Sequence, residues 1–120
     1  MKPIINKTEF GSITISNELY DHDVIIRLNG KVEKRKKKLS KKQFGTSHII
    51  SVEEAKFIYE EGAGELIIGT GQTGFVELSE EAQVLFKEKN CSVRLMPTPK
   101  AVNEWNSTKE TLIGMFHVTC

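Results

Sequence analysis

The stretch TLIGMFHV, residues 111–118, is apolar at nearly every position. Successive side chains of an extended chain point to opposite faces, so a strand built from these residues is apolar on both. That places it centrally in a sheet, because an outer or edge strand would leave one apolar face in water. The rest of the chain has to supply the neighbouring strands and the helices that cover them.

From Gly64 onward the pattern does so. ELIIG reads as a short buried strand. Ser79 to Lys89 follows as a helix, with Ala82, Leu85 and Phe86 inward and Asn90 at its end. CSVRLM is the next strand. Thr98 then caps a helix with Pro99 at its first position, where a missing N–H costs nothing. Ala101, Val102 and Trp105 form the inner face of that helix. Upstream, EFGSITIS alternates as a strand does and leads into a turn at Asn17. DVIIRLNGKVEKR reads as a hairpin about Asn29-Gly30, a pair suited to positive φ. The first third is thus a β-meander, and QFGTSH a loop. Ser51 opens a helix whose Glu54 completes an S-x-x-E capping box. Ala55, Ile58 and Tyr59 share a face of it, and Gly62 is a natural stop. The sum is one α/β domain over residues 1–120, with helices packed on a mixed sheet.

Composition narrows the class. A chain of 120 residues suits one domain and can bury a core without staples. No apolar run approaches the length that spans a bilayer, and MKPIINKTEF lacks a signal-peptide core, so the expectation is a cytoplasmic protein with no membrane role. Cys91 and Cys120 make neither a disulfide framework nor a metal motif, and no cofactor or metal is expected.

The net charge of +1 conceals a segregation. Residues 31–42, KVEKRKKKLSKK, hold eight basic residues and one acid, against nine basic and fifteen acidic in the rest. Lys34, Arg35, Lys36, Lys37, Lys38, Lys41 and Lys42 are expected to form a solvated basic surface on a strand edge running into a loop. Phosphate binding needs such a cluster, but only Phe44 lies close by for base stacking. Edge protection or docking on an acidic protein suits the run as well.

Gly69, Gly71 and Gly74 spell G-x-G-x-x-G after an apolar strand, the dinucleotide pattern. Its structural companions are missing. Gly74 is followed by FVEL rather than a helix, and no acid closes the next strand. A sharp backbone turn is the simpler reason for the glycines. The loops at 69–74 and 97–98 nevertheless end two strands expected to be parallel, where small ligands gather, and a helix starting at Thr98 could face an anion. A cysteine–histidine nucleophile needs closeness in space, which spacing cannot give for His48, His117 and Cys120. Cys120 reads as a frayed position, and no catalytic residue is assigned.

FGTSH, ELIIGTG, MPTPKAVNEWN and GMFHVTC together resemble the Mth-type domain family. That family comprises small archaeal and bacterial proteins of unknown function and the adipogenesis-associated Mth-domain protein of animals, with a mitochondrial complex I assembly factor as a distant member. The resemblance runs from about Phe10 to Cys120, and the lysine-rich loop matches the archaeal members better than the animal ones. It implies a three-layer α/β fold with a mixed central sheet and an N-terminal β-meander. It implies no established enzymatic activity, and family-motif positions at Gly45, Thr46, His48, Gly69, Gly71, Thr98, Ala101, Asn106, His117 and Cys120. The function expected is that of an uncharacterised, non-enzymatic interaction or assembly-type protein. Its protein partner is unidentified and homo-oligomerisation is open. A small-molecule or anion binder, conceivably a weak enzyme, is the alternative, and nucleic-acid binding through residues 31–42 comes third.

Overall fold

The computed structural model describes residues 2–109 and 111–120. Fourteen elements follow one another among them. Strands β1 (Ile5–Glu9), β2 (Ser12–Ile15), β3 (Glu18–Tyr20), β4 (Val24–Ile26) and β5 (Val32–Lys34) come first. Then come α1 (Lys38–Phe44), β6 (Ile49–Ile50), α2 (Val52–Ile58), β7 (Glu65–Thr70), β8 (Glu77–Leu78) and α3 (Glu80–Glu88). The chain closes with β9 (Ser92–Met96), α4 (Thr98–Ser107) and β10 (Ile113–His117).

The central sheet has the order β5-β4-β10-β7-β9. Strand β10 lies parallel to β7 and antiparallel to β4, and β7 is parallel to β9, so the sheet is mixed. The doubly apolar strand thus occupies the middle, as its pattern predicts. Its side chains divide between two cores. Ile113 and Met115 join Ile25, Leu66 and Ile68 beneath Ala55, Ile58, Ala82 and Phe86 of α2 and α3. Phe116 joins Val24, Ile26 and Ile67 beneath Ala101, Val102 and Trp105 of α4, together with Ile5, Ile13 and Ile15 of β1 and β2. The result is three layers, with α4 and the small antiparallel sheet β1-β2-β3 on one side and α2 and α3 on the other.

The expected meander is therefore split. Strands β1–β3 form the outer sheet, while β4 and β5 belong to the central one. The reason lies in β4, whose Val24, Ile25 and Ile26 are all fully buried. A strand apolar on both faces cannot stay in an outer layer with one face in water. At the β4–β5 turn only Gly30 takes a positive φ, of 88°; Asn29 does not, and its side chain instead accepts from the Lys31 N–H. The turn is longer than the two-residue hairpin expected, with the Arg27 N–H donating to the Lys31 carbonyl.

The basic segment also departs from expectation. Beyond Lys34 it becomes helix α1 rather than a loop, closed by Gly45 in the left-handed conformation (φ 72°). Lysine is a good helix former, and Ser40 anchors the helix inward, fully buried. Helix α4 begins one residue earlier than expected in its capping: Pro97 is its cap and Thr98 its first residue.

Trp105 is fully buried and meets Phe116 edge-to-face at 5.9 Å between ring centres. Its indole N–H donates to the Pro3 carbonyl at 2.9 Å. Gly114 makes room, since a Cβ there would lie 2.9 Å from the Trp105 ring. We expect Trp105→Ala to lower unfolding stability by about 3–5 kcal/mol, read from urea denaturation with an unchanged m-value; a variant as stable as the wild type would contradict this packing.

Candidate functional site

Arg35 comes from the middle of the lysine run, yet it is only 3% exposed. Burying a guanidinium demands partners on every side, and Arg35 has them. Its Nε donates to Glu54 Oε2 at 2.5 Å and its Nη2 to Glu54 Oε1 at 3.1 Å. Nη1 donates to Asp23 Oδ2 at 2.9 Å, and Nη2 also reaches the Ser47 carbonyl at 2.7 Å. The expectation of a fully solvated basic surface is thus corrected at this residue. Lys34, Lys36, Lys37, Lys38, Lys41 and Lys42 are exposed, and the Lys36 ammonium sits 4.5 Å above the Phe57 ring.

Glu54 explains a second departure. Ser51 Oγ accepts from the Glu54 N–H, so half of the capping box is present. The Glu54 carboxylate does not return to the Ser51 N–H. It is claimed by Arg35 and by the Ser40 hydroxyl, and Ser40 Oγ accepts from the Ser51 N–H in its place, at 2.9 Å.

Asp23 carries this network to β10. Its Oδ1 accepts from the Val118 N–H at 2.9 Å, and its Oδ2 pairs with His117 Nδ1 at 2.7 Å. Arg35 Nη1 lies 3.4 Å from the same ring nitrogen. A nitrogen that donates to Asp23 cannot also accept from Arg35, so we read the 2.7 Å contact as the hydrogen bond. Burial alone would raise the Asp23 carboxyl. The hydrogen bond and charge of His117, the Val118 N–H and the charge of Arg35 together outweigh it, and hold the group at about 2.

The His117 ring is thereby fixed, with Nδ1 turned to Asp23 and Nε2 turned outward, where Thr119 Oγ1 lies 3.1 Å away. His48 stands edge-on to it, 5.6 Å between ring centres. Two backbone ties hold His48: its N–H donates to Thr46 Oγ1, and its carbonyl accepts from the Glu77 N–H where β6 meets β8. Its Nε2 lies 3.6 Å from Cys120 Sγ. Among the described residues, His48, His117 and Cys120 offer donor atoms all within 4.8 Å of one another. His117 is buried, while His48 and Cys120 are half-buried and reachable from solvent.

The glycines belong to the same end of the sheet but do another job. Gly71 has φ 109°, and a Cβ on it would collide with the Cys120 carbonyl. The Gln72 N–H donates to the Thr119 carbonyl, and the Phe75 N–H and Thr73 hydroxyl donate to that of Cys120. The loop is a cradle for residues 118–120, so Cys120 is held rather than frayed. Gly69 lets Thr98 approach, since a Cβ there would lie 2.8 Å from the Thr98 hydroxyl. Thr98 accepts from the Gly71 N–H, donates to the His117 carbonyl, and sends its own N–H to the Gly71 carbonyl. The polar groups at the start of α4 are therefore engaged by the chain itself.

The sequence-singled residues thus fall into three places. His48 and His117 meet, with Thr46 orienting His48 and Gly45 ending α1. Gly69, Gly71 and Thr98 form the knot beneath residues 118–120. Asn106 faces the other layer, where its side-chain amide brackets both backbone groups of Ile5. Sequence reasoning missed Asp23, Ser40 and the inward role of Arg35 and Glu54. One signal was available: Asp23 abuts an entirely apolar strand, where an acid needs a partner. A separate recess of about 780 Å³, between α3 and β9 and including Phe86, Cys91 and Leu95, lies among none of these residues. Burial, followed by the charge of Glu65, pushes the Cys91 thiol up to about 11, so it stays protonated.

Comparison with known proteins fits this architecture. The family described as "Protein of unknown function (DUF498/DUF598)" matches residues 5–111. The chain belongs to this family. It is 34% identical over the whole of both chains to the conserved hypothetical protein PH1505 from Pyrococcus horikoshii OT3, with a TM-score of 0.86. The protein MT938 is 29% identical, covering 99% of this chain and all of its own, at a TM-score of 0.82. A Mth938-like domain protein from Bordetella pertussis shares the fold at 12% identity and a TM-score of 0.70, over 97% of this chain and 85% of its own. These are Mth-type proteins of unknown function, as the sequence motifs imply.

The depressed Asp23 carboxyl links the site to stability. A folded-state value of about 2 against about 3.8 unfolded contributes about 2 kcal/mol, present above pH 4 and lost as the pH falls through about 2. The stability gap between wild type and Asp23→Asn, measured by urea denaturation, should therefore shrink by about 2 kcal/mol between about pH 4 and about pH 2. A gap that stays constant would show that Asp23 is not held in this way.

Proposed function

We propose that this protein is a ligand-binding module whose working site is the cluster of His48, His117 and Cys120, at the carboxyl end of β10. The observation that carries this reading is the His117–Asp23–Arg35–Glu54 chain. A buried ion network is a poor source of stability, because desolvation offsets most of its attraction. What it does supply is a fixed imidazole, with Nε2 aimed at the half-buried side of the cluster. Beside it stands a thiol 3.6 Å from a second imidazole, close enough for the ring nitrogen to take the thiol proton. The two free cysteines suit a reducing compartment, which supports the reading of a cytoplasmic protein.

This reading moves the small-molecule alternative away from the loops at 69–74 and 97–98, where Gly71 and Thr98 already satisfy each other's polar groups. A second reading, an interaction module, is favoured by Phe10 and Phe75. Both are exposed, at 70% and 63%. Each adjoins segment 118–120 through the backbone, since the Gly11 N–H donates to Val118 and the Phe75 N–H to Cys120. A protein partner seated there would cover the same cluster. The two readings share one locus.

Thiol chemistry tests the site directly. Under iodoacetamide at neutral pH, followed by peptide mass analysis, Cys120 should alkylate at least about tenfold faster than Cys91, because only the thiolate reacts. His48→Gln should slow Cys120 several-fold and leave Cys91 unchanged. A Cys120 no faster than Cys91, and indifferent to His48→Gln, would sink the reading.

A further inference from the structure

We infer that His48, His117 and Cys120 form a binding site for one divalent transition-metal ion of the zinc class, with a fourth coordination position open to solvent. The inference rests on the reading of this cluster as the working site and names its ligand.

The donor set comes first. Two imidazoles and a thiolate are borderline-to-soft ligands that suit zinc and its neighbours and discriminate against magnesium and calcium, which take oxygen. Spacing comes second. Two ligands on one tetrahedral zinc, with Zn–S about 2.3 Å and Zn–N about 2.0–2.1 Å, stand about 3.6 Å apart. His48 Nε2 and Cys120 Sγ are separated by 3.6 Å, and all three donors lie within 4.8 Å of one another. Closure of the widest pair falls to His48 and Cys120, the two half-buried members.

The surroundings provide the third argument. Metal-binding histidines commonly donate the other ring N–H to a carboxylate, which fixes the tautomer and strengthens the ligand nitrogen. Asp23 Oδ2 takes this position on His117 Nδ1 at 2.7 Å, leaving Nε2 as the ligand atom. Asp23 is itself held by Arg35 and the Val118 N–H. Asp23, Arg35 and Glu54 sum to one negative charge, so the local field favours a cation. The Gly71 cradle completes the site by seating the Cys120 backbone. No spacing rule reveals the set, because His48 and Cys120 are 72 residues apart.

The test uses the full chain, reduced and stripped with a chelator, then titrated with Zn²⁺ in competition with a chromophoric chelator and with Co²⁺ as a spectroscopic probe. We expect one ion per chain with Kd of about 1 μM or tighter, and a thiolate-to-cobalt charge-transfer band. Cys120→Ser should abolish the band, and His48→Gln should weaken Zn²⁺ at least about tenfold, as loss of one of three protein ligands demands; circular dichroism reports whether each variant folds. Zn²⁺ should also protect Cys120 from alkylation, and Mg²⁺ should not, a readout that needs no variant. Binding weaker than about 100 μM, or binding unchanged by either substitution, overturns the inference. Fast Cys120 alkylation without metal binding would overturn the metal alone and leave the cluster as a thiol–imidazole site. A sluggish thiol in a protein that also binds no metal would remove both.

Discussion

The geometry around His117 hangs on one buried guanidinium. Arg35 follows β5 at the edge of the central sheet, and its donors reach three other parts of the chain. Glu54 belongs to α2, Asp23 precedes β4, and the Ser47 carbonyl lies in the connection from α1. Arginine suits this position because its planar fork meets a carboxylate with two parallel bonds and keeps its charge when buried. Lysine would offer a point charge and could not span both acids. Removing one acid would leave a buried charge partly unpaired, a loss of about 3–5 kcal/mol. The network therefore acts as a clamp that sets how the edge hairpin, α1 and α2 sit against β10.

The clamp would be idle without a rigid central strand to act on. β10 is gripped by β4 on one side and β7 on the other, with an apolar core on each face. Its register places His117 at the last paired position, opposite Thr70. Beyond it the chain leaves the sheet, and here the glycine loop takes over, catching residues 119 and 120 with backbone donors. A pattern that looks like a nucleotide fingerprint serves the protein's own backbone. The common cause is geometric: glycine permits positive φ and close approach, whether the group approaching is a pyrophosphate or a peptide. Here it is the carbonyl of Cys120.

How much of this was legible in the sequence follows from the range of each interaction. Elements set by local pattern were legible: β10 by its doubled apolar face, α3 by Ser79 and its inward Ala82 and Phe86, α4 by the Ala101–Trp105 spacing. The features that escaped are long-range. Arg35 looks like its lysine neighbours, and nothing local marks it as the one that turns inward to meet acids 12 and 19 positions away. The S-x-x-E motif at Ser51 was correctly placed as a cap, but its acid had a stronger competitor, a buried cation in place of a backbone N–H. The basic loop became a helix because Ser40 found buried partners in Ser51 and Glu54, which helical propensity alone does not reveal. His48, His117 and Cys120 were visible as family-motif positions, but only the fold puts them side by side.

The site also shows why a sheet edge and a strand end make different demands on charge. The lysines on either side of Arg35 remain in water, where charge is cheap and contributes little to stability. One residue in their midst is withdrawn from water, and its charge is then felt strongly because the dielectric around it is low. That difference lets a single arginine govern the orientation of an imidazole on a strand 82 positions away. The lysines are interchangeable with one another in this respect, and the arginine is not. Sequence changes among the lysines would alter the outer field of the molecule. A change at Arg35 would release Asp23, and with it the His117 imidazole.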